Sequence, residues 1–491
     1  MCSNLSLIFR VAHCSILALK FSIKGDCMRL ALLVCSAFIV SACGNSYQGF
    51  SNDIVDRHTH WQTPEPRSGE LTEQELEMAT IAWKYFENNY QESTGLVNAV
   101  NDYPSVTWWD ASSYLAGMVS ALEFGIIKKE EFDRRFIRFI ATLNTIDLFM
   151  GELPNKAYNT QNAAKVDYAN QPGEIGYSAL DLGRLLIWLH IIKHRFPQYA
   201  SAIDSAVLRW NFCNVVDENG TMFGALLEPG KPVQYLQEGR LGYEEYAAKG
   251  FELWGFNTKQ ALMPEPYATI NMYGYDIPYD TRDPRKLKAH SYVVTESYVL
   301  DGIELGWDVT SDHSAHDDNY SHAWVAEFAL QIYRVQEKRY QETGIITART
   351  EHQLAGAPYF VYDTIYTDGF AWNTISEVGD FLPQYSAVAI KGAMGMWVLW
   401  DTEYTDLLFE HVSHVYDREK GFYEGIFENG TGLINTFTSN NNGILLEILL
   451  YKKQGKLLQY QATTAPSLWE KALQSPFGYE GQCLPRNVET D

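Results

Sequence analysis

The sequence predicts an all-α protein with an (α/α)6 toroid, in which long loops and short strands cover one end of the ring. Three observations predict this fold: six segments that read as helices with apolar residues nearly all round, amphipathic helices between them, and long insertions before several of the apolar segments. A helix that is apolar on all sides is buried, whereas an amphipathic helix packs outside it. The alternation therefore predicts six inner and six outer helices.

Each predicted inner helix begins after a loop and carries a glycine about two turns further on. Glycine inside a helix costs about 1 kcal/mol relative to alanine, so its recurrence indicates that neighbouring helices approach closely. The predicted inner helices begin near Trp108, Tyr177, Tyr243, Thr295, Tyr385 and Thr438. The predicted outer helices cover residues 71–90, 130–143, 200–210, 323–340 and 406–415.

The long insertions cover residues 150–175, 211–242 and 255–294, each just before a predicted inner helix. We expect them to line a cleft at one end of the ring and to contain short strands, such as the one predicted over residues 221–227. No later stretch has the composition of a flexible linker. Residues 71–491 are therefore predicted to form one catalytic domain.

The N-terminal region is predicted to direct export. Residues 1–42 are a signal region whose true start is Met28, because a basic residue, a short apolar stretch and small residues follow in that order. The apolar stretch is too short for a permanent transmembrane helix, and an uncleaved anchor is the alternative. Residues 40–43 resemble the lipobox of bacterial lipoproteins, which implies lipidation of Cys43. Residues 43–70 are predicted to be the lipidated tether.

Two further expectations follow from this interpretation. The lipid is the only predicted membrane contact, and the absence of Asp after Cys43 resembles the sorting pattern of outer-membrane lipoproteins that face the periplasm. Cys213 and Cys483 are the cysteines that remain, too few for a disulfide framework or a cysteine metal site. Whether they pair stays open, since the sequence does not give the distance between their Cα atoms.

Composition favours a neutral carbohydrate as partner. Without residues 1–42 the chain has 34 basic and 60 acidic residues, a net charge of −26, which repels nucleic acid, anionic lipid and polyuronate. Thirteen Trp and 31 Tyr suit the binding of sugar rings, although a large aromatic core is the alternative. No cofactor is expected, a monomer is expected, and no metal is expected because the cluster from Asp308 to Asp318 matches no ligand set.

Hydrolysis of a glycosidic bond needs one protonated carboxyl and one carboxylate. The candidates are the acids near the starts of the inner helices: Asp110, Glu174, Asp181, Glu244, Glu245, Glu296, Glu377, Asp380 and Glu424.

These acids differ in how strongly their surroundings indicate function. Asp181 lies within an apolar stretch, where an unpartnered carboxyl is costly. Glu245 is flanked by tyrosines at the start of a buried helix, which favours a raised pKa. Glu424 stands beside aromatic residues and between two glycines, although an exposed turn is the alternative. Asp110 and Glu296 occupy first-turn positions where an acid also serves as a cap.

Several motifs together resemble a family of bacterial secreted domains of unknown function. They are Trp109-Asp110-Ala-Ser-Ser-Tyr-Leu-Ala, Tyr177-Ser-Ala-Leu-Asp181-Leu-Gly-Arg184, the stretch from Phe360 to Thr374, and Tyr423-Glu424-Gly425 with residues 438–442. The resemblance covers about residues 75–455. That family is distantly similar to glucoamylase-like domains that include endo-β-1,2-glucanases, which are (α/α)6 toroids.

The resemblance implies roles for particular residues. Asp181 matches an aspartate that binds sugar, and Glu245 matches the glutamate expected to be the general acid. Glu424 falls where the glucanases carry an aspartate that activates water, so the stereochemical outcome stays open.

The sequence thus predicts a glycoside hydrolase that cleaves a neutral β-glucan internally, with β-1,2-glucan as the preferred substrate. Glu245 is the predicted general acid and Glu424 the predicted general base. This assignment requires both carboxyls to lie on the same face of the helical toroid. The residues predicted to bind sugar are Asp110, Asp181, Arg184, Trp109, Tyr243, Trp372 and Tyr423. The alternatives are a polysaccharide lyase on a helical toroid, which needs a basic cleft, and a non-catalytic glycan-binding envelope lipoprotein, which would tolerate the loss of Glu245.

Overall fold

The structure is a computed structural model that describes residues 63–282, 290, 292–314, 320–460, 466–474 and 481–485. The predicted signal region, Cys43 and most of the predicted tether lie outside the described residues. Among the residues that are described, none of the helices has the length and apolar character needed to cross a membrane. The described residues belong to a single compact unit that begins at Thr63.

Twelve α-helices form the core of the described part of the chain. They are α1 (Glu73–Asn89), α2 (Trp108–Glu123), α3 (Lys129–Leu143), α4 (Ala179–Arg195), α5 (Ala200–Val207), α6 (Tyr243–Glu252), α7 (Glu296–Leu300), α8 (Ala323–Thr343), α9 (Ile390–Leu399), α10 (Glu403–Val412), α11 (Ser439–Gln454) and α12 (Leu468–Gln474). Helix α7 continues directly into a π-helical segment, Asp301–Leu305.

Short strands occupy the segments that connect the helices. They are β1 (Ser105–Thr107), β2 (Leu148–Phe149), β3 (Leu153–Pro154), β4 (Ala157–Asn159), β5 (Lys165–Val166), β6 (Phe223–Leu226), β7 (Gln234–Gln237), β8 (Tyr267–Met272), β9 (Tyr275–Asp280), β10 (His352–Gln353), β11 (Phe360–Asp363), β12 (Tyr366–Thr367), β13 (Phe370–Ala371), β14 (Thr374–Ile375), β15 (Ala387–Ala389), β16 (Tyr416–Asp417), β17 (Gly421–Phe422), β18 (Gly425–Phe427) and β19 (Leu433–Ile434). They pair antiparallel in sheets of two or three strands, among them β1-β4-β5 and the β8–β9 hairpin. As predicted, the core is helical and the long insertions carry the strands.

Six helices pack on one another in a closed cycle, and we call them the central helices. Helix α2 contacts α4, α4 contacts α6, α6 contacts α7, α7 contacts α9, α9 contacts α11, and α11 contacts α2. A Cβ atom on Gly250 would lie 2.0 Å from the carbonyl oxygen of Gly183, and one on Gly443 would lie 2.3 Å from that of Ser113. The glycines thus permit close helix approach at these positions, as their recurrence predicts.

The other helices pack against the central ones or against each other. Helix α1 contacts α11 and α2, α3 contacts α2, α5 contacts α3 and α4, α8 contacts α7, and α10 contacts α9. Helix α12, which the sequence analysis did not identify, contacts α5.

The chain is fixed to the domain before α1 begins. The backbone N–H of Arg67 donates to the carbonyl of Val398 at 2.8 Å, and its guanidinium donates to the carbonyl of Trp400 at 3.0 Å and to the Asp406 carboxylate at 2.6 Å. The backbone N–H of Asp401 donates to the carbonyl of Glu65 at 2.9 Å. Residues 65–67, which lie within the range predicted as the tether, therefore pack on the C-terminal end of α9.

Cys213 and Cys483 form a disulfide, which answers a question that the sequence left open. Their Cα atoms are 4.9 Å apart, and the bond joins the segment after α5 to the C-terminal segment. The same region is packed through Trp469 of α12, whose ring lies 5.0 Å from that of Trp254.

We expect replacement of both cysteines by serine to lower the free energy of unfolding by about 2–5 kcal/mol, because a cross-link over a long loop restricts the unfolded chain. The loop spans 270 residues. Urea denaturation with and without reductant measures the effect. Reductant should destabilise the wild type by the same amount and leave the double variant unchanged, whereas equal midpoints for the oxidised wild type and the double variant would contradict the prediction.

Candidate active site

Two neighbouring central helices begin with the same local structure. At α2, the Thr107 side chain caps the helix, accepting from the Asp110 N–H at 3.3 Å and donating to the Asp110 carboxylate at 2.7 Å. At α4, Ser178 accepts from the Asp181 N–H at 3.2 Å and donates to the Asp181 carboxylate at 3.1 Å. The capping role considered for Asp110 is therefore observed, and Asp181 shares it.

The N-terminal turns of the central helices meet at one end of the cycle, and we call this end the N-terminal face. The Trp109 ring of α2 lies 5.7 Å from the Tyr243 ring of α6, and its indole N–H donates to Glu296 of α7 at 2.8 Å. Asn440 of α11 also donates to Glu296, at 3.0 Å, and Lys391 of α9 forms an ion pair with it. The predicted residues Trp109 and Tyr243 are therefore brought together here.

Asp181 and Asp110 are both partly exposed on this face. Burial raises the pKa of Asp181 to about 7, and the negative charges of Glu238 and Asp110 contribute. Burial also raises the pKa of Asp110, against the Thr107 hydroxyl and the positive charges of Lys391 and Arg184. Asp181 therefore holds a proton over much of the range below neutral pH, as a general acid must.

Glu238 is a partly exposed neighbour of Asp181 that the sequence analysis missed. Its carboxylate accepts from the backbone N–H groups of Ala179 and, at 3.4 Å, Leu180, which are the first residues of α4. Amide donors at a helix N-terminus stabilise negative charge. A proton-holding carboxyl thus lies beside a carboxylate that the backbone stabilises, an arrangement suited to proton transfer.

Glu296 is the centre of a buried charge network beneath this face. Burial opposes its ionisation, but the charge and hydrogen bond of Lys391 lower its pKa below the ordinary value. Glu351 lies close by, accepts from the Tyr243 hydroxyl, and has a raised pKa because of burial and the charge of Glu296. Lys391 and Glu351 are further residues of the site that the sequence analysis missed.

The Arg184 side chain lies beneath the N-terminal face and is not exposed on it. Its side chain is 0 % exposed, and its guanidinium lies 5.0 Å from the Trp109 ring. It donates to Ser113 at 2.7 Å, to Asn440 at 3.2 Å and to Glu447 at 3.0 Å. These donors all point to protein partners, so the structure shows Arg184 packed beneath Trp109 and Asn440, and its predicted contact with sugar stays a prediction.

Glu245, the predicted general acid, is 0 % exposed. One carboxylate oxygen accepts from the Gly242 N–H at 2.6 Å and so completes the cap of α6, and the other oxygen has no hydrogen-bond partner among the described residues. Burial raises its pKa to about 8. The carboxyl keeps its proton at neutral pH, but no surface of it is available to a substrate.

Glu424, the predicted base, is 2 % exposed and accepts from the Thr438 hydroxyl and, at 3.3 Å, from the backbone N–H of Gln353. Burial raises its pKa, against the positive charge of Lys391. Glu424 therefore belongs to the Glu296 network.

The surroundings of the two predicted catalytic carboxyls differ. The charges of Arg282, Glu265 and Glu244 act on Glu245, whereas those of Lys391 and Glu296 act on Glu424.

Trp372 and Tyr423 are partly exposed. The Trp372 ring packs over the Arg339 guanidinium at 4.4 Å, and the Tyr423 ring packs on that of Phe437 at 4.4 Å. Their predicted role as sugar platforms stays a prediction.

Asp308, from the metal-like cluster of the sequence, pairs with Lys456 at 2.6 Å. Residues 316–318 of that cluster lie outside the described part. In the part of the chain that the structure covers, no group of three or more His, Cys, Asp or Glu residues is arranged to hold a metal.

Comparison with known proteins identifies a family. The profile of the family described as "Protein of unknown function (DUF3131)" matches residues 77–455. No curated protein matches the chain.

Two of the solved structures that share the fold are glucanases. The endo-β-1,2-glucanase from Chitinophaga pinensis, in complex with sophorotriose and glucose, superposes with a TM-score of 0.56 at 12% identity, over 83% of this chain and 96% of that chain. The β-1,2-glucanase from Parabacteroides distasonis gives 0.51 at 14% identity, over 79% of this chain and 58% of that chain. The resemblance inferred from the motifs, over about residues 75–455, is confirmed.

Proposed function

Because the chain belongs to the family described as "Protein of unknown function (DUF3131)" and shares its fold with endo-β-1,2-glucanases, we propose that it is a glycoside hydrolase that cleaves a neutral glucan. Internal bonds of β-1,2-glucan are the proposed substrate. One observation carries the proposal: Asp181, a partly exposed carboxyl whose pKa is raised to about 7, lies with Asp110, Trp109 and Tyr243 on the N-terminal face.

The proposal includes an (α/α)6 toroid with the substrate at the N-terminal face. The closed cycle of six central helices supports an inner ring, and α1, α3, α5, α8, α10 and α12 would be the outer helices. The loops that carry β1 to β9 precede central helices and would line the cleft.

We assign the general acid to Asp181 and not to Glu245. Both carboxyls hold a proton near neutral pH, but a general acid must touch the glycosidic oxygen, and Glu245 is 0 % exposed. Asp181 would donate its proton to that oxygen. Asp110, the partly exposed carboxyl of the neighbouring helix, would take a proton from the attacking water, with Lys391 and Arg184 favouring its charged form.

We include the remaining predictions from the sequence in this proposal. Glu424 would support the charge network beside Lys391, and it is the alternative base. Trp109, which is partly exposed, would form an apolar floor for a sugar ring, with the buried Tyr243 ring packed against it, and Trp372 and Tyr423 would be further platforms. The lipid on Cys43, the periplasm-facing outer-membrane location and the monomeric state rest on the sequence.

The alternative of a polysaccharide lyase is weaker, because two cations beneath the N-terminal face are paired with carboxylates. Lys391 pairs with Glu296, and Arg184 pairs with Glu447 at 3.0 Å. A uronate at this face would meet the carboxylates of Asp110 and Glu238, which repel it.

Product analysis tests the function. The soluble unit from Thr63 is incubated with neutral glucans of different linkage and with a polyuronate. We expect oligosaccharides of several lengths from β-1,2-glucan alone. Binding of a glucan without any product would favour the non-catalytic glycan-binding protein, and an unsaturated product from the polyuronate would favour the lyase.

The pH dependence gives a separate prediction. Since Asp181 must be protonated to donate, we expect kcat/KM to fall as the pH rises above about 7, the pKa of this carboxyl. The charge of Glu238 contributes to that pKa, so Glu238→Gln should move the alkaline limb to lower pH. Rates of glucan cleavage across the pH range measure both. An alkaline limb that stays in place in Glu238→Gln would contradict the assignment of the acid.

A further inference from the structure

Glu238 supplies acceptors that the start of α4 lacks. The first N–H groups of an α-helix have no acceptor within the helix. At α4 the Ser178 hydroxyl accepts from the Asp181 N–H at 3.2 Å. The two N–H groups before it, those of Ala179 and Leu180, donate to the Glu238 carboxylate. The Glu238 carboxylate therefore lies at the same helical turn as Asp181.

The backbone on both sides of the Glu238 side chain is held by hydrogen bonds. The Glu238 N–H donates to the Met222 carbonyl at 3.3 Å, and the Arg282 guanidinium donates to the Gly239 carbonyl at 3.1 Å. A Cβ atom on Gly239, whose φ is +135°, would lie 2.4 Å from the Cβ atom of Glu244. The segment thus packs directly on the first turn of α6, at a position that requires glycine.

Arg282 is itself fixed by three buried carboxylates from separate segments. Its guanidinium lies 2.8 Å from Asp280 at the end of β9, 3.0 Å from Glu265 before β8, and 3.2 Å from Glu244 of α6. Its side chain is 11% exposed, and those of the carboxylates are 0–8% exposed. The planar guanidinium has five N–H donors and can bind several acceptors at once. We call these four residues the Arg282 cluster.

The residue before Glu238 is bound to the same cluster. The Gln237 amide donates to Glu265 and, at 3.3 Å, to Glu244. On the side of β6, a Cβ atom on Gly224 would lie 2.6 Å from a Glu238 carboxylate oxygen, so this strand also borders the carboxylate. The contacts of residues 237 and 239 with the cluster therefore determine where the Glu238 side chain points.

We propose that Arg282 is a positioning residue of the active site: it holds the Glu238 carboxylate against the start of α4, beside Asp181. The consequence for catalysis rests on the proposed function. Without the guanidinium the Gly239 carbonyl would lose a donor, and three buried carboxylates would lose the cation that they share. Repulsion among them would then displace the segment that carries Glu238.

Hydrogen exchange of backbone N–H groups tests the position of Glu238 without any substrate. We expect exchange of the Ala179 and Leu180 N–H groups to become about tenfold faster in Arg282→Gln, because they lose a charged acceptor. Arg135→Gln on α3 is the matched control. The Arg135 side chain is 6% exposed and pairs with Glu131 at 2.5 Å. This control should leave both exchange rates as in the wild type.

A second variant keeps the net charge of the Arg282 cluster. In Arg282→Gln with Glu244→Gln, one positive and one negative charge are removed together, so fewer carboxylates remain uncompensated in the core. The bond to the Gly239 carbonyl is still lost. We therefore expect the same faster exchange at the start of α4 from this variant, including the case in which the single variant does not fold.

The pH dependence of kcat/KM separates positioning from a direct effect of charge. The charge of Glu238 contributes to the raised pKa of Asp181. Displacement of Glu238 in Arg282→Gln should therefore move the alkaline limb to lower pH, as in Glu238→Gln. Loss of the Arg282 charge alone would raise the pKa of Asp181 and move the limb to higher pH. Arg282→Gln combined with Glu238→Gln should shift the limb no further than Glu238→Gln alone.

The other outcomes contradict the inference in different ways. Unchanged exchange of the two N–H groups in both Arg282 variants overturns it, and so does a rise that is as large in Arg135→Gln. An alkaline limb that stays in place or moves to higher pH also overturns it, because Arg282 then does not act through Glu238. A wild type that cleaves no glucan overturns the proposed function, and the exchange rates then decide alone whether Arg282 holds Glu238.

Discussion

Asp181→Asn is expected to lower kcat for glucan hydrolysis by about 10²–10⁴-fold, the usual contribution of a general acid. Asparagine keeps the size of the side chain and can still accept from the Ser178 hydroxyl, which donates to Asp181 at 3.1 Å in the structure. It has no acidic proton for the leaving oxygen. The thermal midpoint should therefore stay close to that of the wild type while product formation is lost.

Glu245→Gln is the matched control, because it tests the acid that the sequence predicts. The Glu245 carboxyl has a pKa of about 8 and is already protonated at neutral pH. Glutamine has nearly the same shape and can keep the hydrogen bond from the Gly242 N–H. We expect activity and stability near those of the wild type. Loss of activity in Glu245→Gln with activity retained in Asp181→Asn would return the acid to Glu245.

The helical core was predictable because its signals are local. A buried helix shows apolar residues on all sides, and the glycines at 183, 250 and 443 mark close approaches that the structure contains. The start of α9 was less predictable: it was predicted near Tyr385 but lies at Ile390. Residues Ala387–Ala389 form a strand that pairs with β18. A short apolar run does not distinguish a strand from a helix. Helix α12 has only seven residues, too few for a clear period.

The predictable residues of the candidate site are those at the starts of the central helices. Trp109, Asp110, Asp181 and Tyr243 all lie in the first turns of central helices, and the first turns meet. Lys391 had a usable signal, a charge inside an apolar segment, which is the same signal that identified Asp181. The importance of such a charge follows from the cost of burying it without a partner.

Other residues of the site depend on tertiary contacts that local sequence does not encode. Glu238 comes from the loop before α6, and it accepts from backbone N–H groups at the start of α4, a distant segment. The burial of Arg184 was not predicted, although the residue lies three positions after Asp181, about 4.5 Å further along the helix axis. On a helix with apolar residues on all sides, periodicity does not show that a residue about one turn after an exposed one lies in the core.

Arg184→Met is expected to lower the free energy of unfolding by about 3–5 kcal/mol, since removal of one member of a buried ion pair leaves the other uncompensated. The guanidinium lies 3.0 Å from Glu447 and 3.5 Å from Glu304, and all three side chains are 0 % exposed. Arg418→Ala is the control, because the Arg418–Glu77 pair is exposed, at 65% and 47%, and such pairs contribute about 0–1 kcal/mol. Urea denaturation measures both variants.

The loss in the free energy of unfolding of Arg184→Met should also depend on pH in a defined direction. Burial already raises the pKa of Glu447 and of Glu304, and the charge of Arg184 opposes that rise. Without the guanidinium both folded-state pKa values move further above the unfolded value, so stability present at low pH is lost as the pH rises through them. Adding Glu447→Gln to Arg184→Met should recover part of the loss at neutral pH. A loss that is the same at acidic and neutral pH, and that Glu447→Gln does not reduce, would show that Arg184 stabilises the core by packing alone.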